Sequence, residues 1–199
     1  MKIVSILSII RFCSESGGKC IGIDKNLSRI RLRTPLTERQ KMIALQITGL
    51  KNFMNAMLTG NVFDTFLLEE ASVTTAVTYH IDGHAQKDFS PCEYEFIPWA
   101  DIKGICFQLI KGTRVPLHFQ FVFHLMPKHV ESILKAADAA VDPSLIRAFV
   151  LTLRYNGEIA TLYTGTAYTT FVADKEPEKL WDAACEKYLF KKEIACERL

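Results

Sequence analysis

Residues 73–82 alternate without interruption. Val73, Thr75, Val77, Tyr79 and Ile81 fall on one side, and Thr74, Ala76, Thr78, His80 and Asp82 on the other. Successive side chains of a strand face opposite ways, so this period of two predicts one half-buried β-strand closed by an Asp82-Gly83 turn. A shorter apolar segment, 63–68, precedes it. Residues 117–126 repeat the alternation with larger side chains, placing Phe119, Phe121, Phe123 and Leu125 opposite His118, Gln120, Val122 and His124. Four large apolar residues on one face predict a central core strand, and Pro116 suits its first position, where no ladder donor is lost. Residues 147–155, with Phe149, Leu151, Leu153 and Tyr155 inward, read as the first arm of a hairpin. Asn156-Gly157 tolerates the positive φ angles of a two-residue type I′ turn, and the Thr/Tyr-rich stretch 159–172 returns as the second arm, with Gly165 as a candidate bulge.

Between these strands the period changes to that of a helix. Leu50, Phe53, Met54, Met57 and Leu58 form one stripe, with Thr48 as N-cap and Gly60 as stop. Core packing explains the paired methionines of that stripe better than a ligand groove does. Residues 98–111 put Trp99, Ile102, Ile105, Cys106, Leu109 and Ile110 on one face, opened by Pro98 and closed by Gly112. Residues 128–139 turn Val130, Ile133, Leu134 and Ala137 inward. A last helix opens at Pro177 and buries Leu180, Trp181, Ala184 and Tyr188, its charged tail 191–199 fraying. The order is α-β-β-α-β-α-β-β-α: an α+β fold with a mostly antiparallel sheet covered by about four helices. Residues 48–111 and 128–190 resemble each other in layout, which admits two αββα halves related by duplication, the internal symmetry of sliding clamps and the TATA-binding protein. A shared layout carries no function.

Composition alters this picture in few places. At 199 residues, 49% hydrophobic and 23% charged, the chain is long enough for a well-buried domain. No apolar run approaches the roughly 20 residues of a membrane helix, so no membrane association is expected. Cys13, Cys20, Cys92, Cys106, Cys185 and Cys196 include no CxxC pair and no close Cys/His spacing, which points to reduced cytoplasmic thiols rather than to zinc or a disulfide framework. Charge is uneven. Residues 1–41 hold nine Lys/Arg against three acids, net +6, whereas the other 158 hold 15 against 19, net −4. A mildly acidic body argues against nucleic acid as a partner.

One cluster has ligand chemistry. His80 and Asp82 share a strand face and His84 follows the turn, so the three are the candidate metal ligands; a plain hairpin end accounts for the same letters, and no second cluster supplies more ligands. No cofactor is expected. His118 and His124 share a face with Gln120 and are the candidate general acid/base pair, with Asp82, Glu69 or Glu70 as partners. Such histidines are more often surface residues on the wet side of a one-sided sheet. No GxSxG elbow and no phosphate loop is present. Lys103, Lys111 and Arg114 make a basic patch that the dipole of the second helix already explains. The stretch 161–170, with Thr161, Tyr163, Tyr168 and Thr170, offers a binding edge to a partner strand or to a second copy if it lies at the sheet margin.

The phrases FMNAMLTGNVFDTFLLEEASVTT, HIDG, PWADIKGICFQLIKGTRVPLHFQFVFHL and LRYNGEIATLYTGTAYTTF resemble a family of bacterial proteins known only as a domain of unknown function. The resemblance runs from about Met42 to the C-terminus. It implies a single bacterial domain over 42–199 and no activity. Residues 1–41, basic and aperiodic, are expected to stand apart as a disordered tail or a misassigned start, with Met42 as the native initiator; Glu38 to Lys41 permit the A/G-rich codons of a ribosome-binding site. The short apolar run 3–10 lacks a cleavage site and does not make a signal peptide.

The function expected is a soluble cytoplasmic binding or protein-interaction module without catalytic activity. The alternatives are a small hydrolase or metal-dependent enzyme using His80, Asp82 and His84 or the His118/His124 face, and a nucleic-acid accessory protein with a clamp-like layout.

Overall fold

A computed structural model describes residues 43–199 except 87, 89–92, 113–114 and 138–140. The expectations for residues 1–41, for Met42 and for Arg114 lie outside the described residues. What is described belongs to one unit, Arg39–Leu199. Along the chain come β1 (Ala44–Ile47), α1 (Leu50–Leu58), β2 (Phe66–Thr74), β3 (Thr78–Asp82), β4 (Ile97–Pro98) and α2 (Trp99–Ile110). They are followed by β5 (His118–Leu125), α3 (Pro127–Ala136), β6 (Ile146–Tyr155), β7 (Ala160–Tyr168), α4 (Glu176–Lys191) and β8 (Cys196–Arg198). The strands form one antiparallel sheet of order β3-β2-β5-β6-β7-β1-β8, with β4 on the flank of β2 that also carries β3. This is the α+β architecture read from the sequence, its four helices included. Two hairpins flank β5, and β1 and β8 extend one side only.

β5 organises the packing. Its register sets Phe119 beside Val73 and Tyr155, Phe121 beside Ala71 and Leu153, and Phe123 beside Leu68 and Leu151. All four helices close over this face: Phe53 and Met57 of α1, Trp99 and Cys106 of α2, Val130 and Leu134 of α3, and Trp181, Cys185 and Leu189 of α4 share its core. The two indoles are buried with their N–H groups satisfied, Trp99 donating to the Met57 carbonyl at 3.0 Å and Trp181 to that of Val150 at 2.9 Å.

The expected strand over 73–82 is two strands. β2 runs on to Thr74, the chain turns through Thr75 to Val77, and β3 returns with Thr74 facing Thr78 and Val73 facing Tyr79. A loop of three residues preserves parity, so residues facing across the hairpin alternate as they would along one strand. Period two is blind to such a turn. Val77 and Tyr79, expected in the core, are 55% and 40% exposed; the first is in the loop, the second on the outermost strand.

Other boundaries shift for local reasons. Gly83 closes no turn. Its N–H reaches the Glu69 carbonyl beside the β2 bulge, and a Cβ there would fall 1.9 Å from the Leu68 oxygen. At 156–159 the loop has four residues instead of two; only Gly157 takes positive φ, and the Asn156 carboxamide accepts from the Glu158 and Ile159 N–H groups. The β6–β7 bulge falls between Ile146 and Ala148, whereas Gly165 pairs regularly with Val150. Gly49, not Thr48, caps α1, and Ile105 of α2 is 55% exposed. The tail expected to fray ends as β8, because β1 presents an unpaired edge to it.

β1 is tied to α4 by a part-buried relay. Its neighbour Ile43 donates to Thr164 Oγ1 at 3.2 Å, and that hydroxyl donates to Asp182 at 2.5 Å. Burial holds the Asp182 carboxyl above its ordinary value of 3.8, although the Thr164 bond opposes the rise.

Phe121→Ala should cost about 3–5 kcal/mol in urea unfolding, whereas Val77→Ala should stay within about 0.5 kcal/mol. Equal losses would contradict the hairpin. A second expectation concerns pH. A carboxyl raised in the fold binds its proton more readily folded than unfolded, so its contribution to stability declines as pH rises from 3.8 through the folded value. Asp182→Asn removes that decline. The variant's stability relative to the wild type should therefore climb over this window and level off above it; a constant difference at every pH would refute the assignment.

Candidate functional site: the open face of the sheet

The sheet face opposite the helices is polar, and register alone assembles it. His80 lies beside Ser72, Ser72 beside Gln120, Gln120 beside Arg154, Arg154 beside Thr161, and Thr161 beside Gln46. Strands stand about 4.8 Å apart, so these residues form one row across six strands. On one side run Thr78, Thr74 and His118; on the other, Asp82, Glu70, Val122, Thr152 and Tyr163. Part of this surface floors an open depression of about 580 Å³, lined among others by Glu70, His80, His118, Gln120, Arg154 and Tyr163. The Arg154 guanidinium lies 5.6 Å from the centroid of the Tyr163 ring, which restrains it near the middle of the row.

The HIDGH residues part company. His80 lines the depression, while Asp82 turns to His84. One Asp82 oxygen accepts the His84 backbone N–H at 3.0 Å and sits 2.6 Å from its Nδ1. The backbone bond first, then the side-chain bond, hold the Asp82 carboxyl below its ordinary range. Among the described residues no three His, Cys, Asp or Glu side chains are grouped as a metal site.

His118 and His124 share a face but not a site. His118 is exposed at the depression. His124, only 8% exposed, has its Nε2 2.6 Å from Glu69 and packs edge-on against Phe96 at 4.8 Å. The His84 ring meets the same phenylalanine at 4.7 Å. Phe96 thus separates two imidazole–carboxylate pairs, over a small apolar cluster with Leu67 and Met126. No hydroxyl or thiol hydrogen-bonds to either ring among the described residues. The thiols of Cys106 and Cys185 are pushed up to about 12 by burial and are not nucleophiles at neutral pH. Of the basic patch, Lys103 is engaged by Asp64 and the Gly60 carbonyl, and Lys111 lies 5.5 Å over Phe107.

The first part of the 161–170 stretch, Thr161 to Tyr163, is not a margin. β7 is paired with β6 on one flank and with β1 over Ala160 to Tyr163 on the other, so an incoming strand finds no free edge there. β1 was invisible to the periodicity because four residues are too few to establish one. Arg154 and Tyr163 stood on the polar parity of their strands, but only the register joins them to His80 and His118.

The match to known families spans residues 56–197. The chain belongs to DUF5721, a family of unknown function. The matched span opens inside α1 and takes in every strand from β2 to β7, hence nearly all of the polar row. No curated protein and no solved structure matches the chain. No helix among the described residues is long and apolar enough to cross a membrane.

In the DUF5721 chain, NMR titration of the Asp82 carboxyl should give a pKa below 3.8, and His84→Ala should raise it, with part of the effect retained because the backbone N–H remains. An Asp82 titrating at its ordinary value in the wild type would contradict the pairing.

Proposed function

We propose that this DUF5721 chain is a bacterial cytoplasmic binding module that takes a small polar ligand on its open sheet face and performs no catalysis of its own. The observation that carries the reading is the row His80–Ser72–Gln120–Arg154–Thr161, a line of donors and acceptors over the 580 Å³ depression. Such a surface recognises shape and hydrogen bonding. Arg154, placed over Tyr163 in the depression that Glu70 also lines, suits a ligand that carries an anionic group beside hydroxyl or amino donors. The free thiols Cys106, Cys185 and Cys196 fit a reducing compartment.

Two features weigh against the enzyme alternative. The imidazole–carboxylate pairs at His84 and His124 lack a nucleophile within hydrogen-bond reach among the described residues, and His124 is buried against Phe96. Against the nucleic-acid alternative, the face mixes Glu70 and Asp82 with Arg154, where a phosphate backbone calls for uniform positive charge.

The test is an amide NMR titration with sugar phosphates, nucleotides and amino acids. At least one compound should shift Thr152, Arg154, Thr161 and Tyr163 together, and Arg154→Ala should weaken it tenfold or more. Shifts confined to other surfaces, or turnover of a compound bound at this face, would overturn the reading.

A further inference from the structure

The helix side of the sheet holds a second concavity. Between α3 and α4 lies a cavity of about 370 Å³, with a floor that includes Phe66, Leu125, Leu151 and Trp181. All four floor residues are buried, and Ser132 and Ala136 stand exposed at its mouth. The space would hold about a dozen waters at ~30 Å³ each, yet its walls offer them few partners. An apolar hollow of this size keeps its lining against water, a cost that an apolar guest removes.

We infer that this cavity is a binding site for a compact aromatic molecule of about 10–15 non-hydrogen atoms, carrying one uncharged hydrogen-bonding group. Flat guests suit it because Phe66, Trp181 and Tyr188 wall it with rings, with centroids 6.4 Å apart for both the Phe66–Trp181 and the Phe66–Tyr188 pair. The polar group is placed by His129. Its ring lies at the lining, half-buried, and no hydrogen bond from the described residues reaches it. Two other polar groups there are engaged: the Ser132 hydroxyl donates to the Lys128 carbonyl and the Tyr188 hydroxyl to that of Val62. Burial, with Lys128 adding to it, lowers the His129 pKa, so the ring is neutral at physiological pH and serves a hydroxyl better than a charged head. This cavity and the polar row lie on opposite faces of the sheet, so the two sites are independent.

The experiment is titration of the full chain with 2-naphthol, read by quenching of tryptophan fluorescence, and in parallel with 2-methylnaphthalene, which has the shape without the hydroxyl. Saturable one-to-one binding is expected. Ala136→Trp, at the exposed mouth, should reduce affinity at least tenfold while the chain melts as the wild type does; Ser132→Phe serves the same purpose if that variant misfolds. His129→Leu should weaken 2-naphthol about fivefold and leave 2-methylnaphthalene unchanged. Absence of saturable binding, or affinity untouched by both mouth variants, would overturn the site. Equal losses of the two probes on His129→Leu would overturn the role of the imidazole.

Discussion

The edge-to-face contact between Trp99 and the phenylalanines of β5 is the interaction on which the described structure rests. The indole meets Phe121 at 5.6 Å and Phe123 at 5.0 Å, both near perpendicular, and it is wholly buried. Its N–H is held by the Met57 carbonyl, so one residue fastens α2 to α1 and both helices to the central strand. β5 in turn sets the register of β2 and β6. The far end of the core repeats the device with Trp181, stacked on Phe149 at 5.2 Å.

Packing all four helices on one face has a consequence for the other. Each strand then needs only one apolar side, and the outward side is released from core duty. That freedom is what lets Ser72, Gln120, Arg154 and Thr161 line up as a polar row. The same strands therefore serve stability with one parity and recognition with the other, and substitutions of the two kinds should separate cleanly.

Much of the fold was legible from periodicity. The strand with Phe119, Phe121 and Phe123, the hairpin about Asn156 and the four helices all carry patterns long enough to count. The candidate site was legible only residue by residue. His118 was visible as outward-facing, and Glu69 as an acid near His124, but neither spacing nor composition distinguishes a histidine over a depression from one buried against Phe96.

What the sequence determined by itself was the parity of the longer strands and the main stripe of each helix, because a local period of two or 3.6 follows from the backbone alone. The tertiary structure decided the rest. It alone showed that residues 73–82 fold back at Thr75 to Val77, since an odd loop leaves the alternation intact. It alone recruited Ala44–Ile47 and Cys196–Arg198 as strands, which exist by pairing with β7 and with each other rather than by any period of their own. And it alone brought His80 and Arg154, 74 positions apart in the chain, into one row, because register between strands is a property of pairs that no single segment encodes.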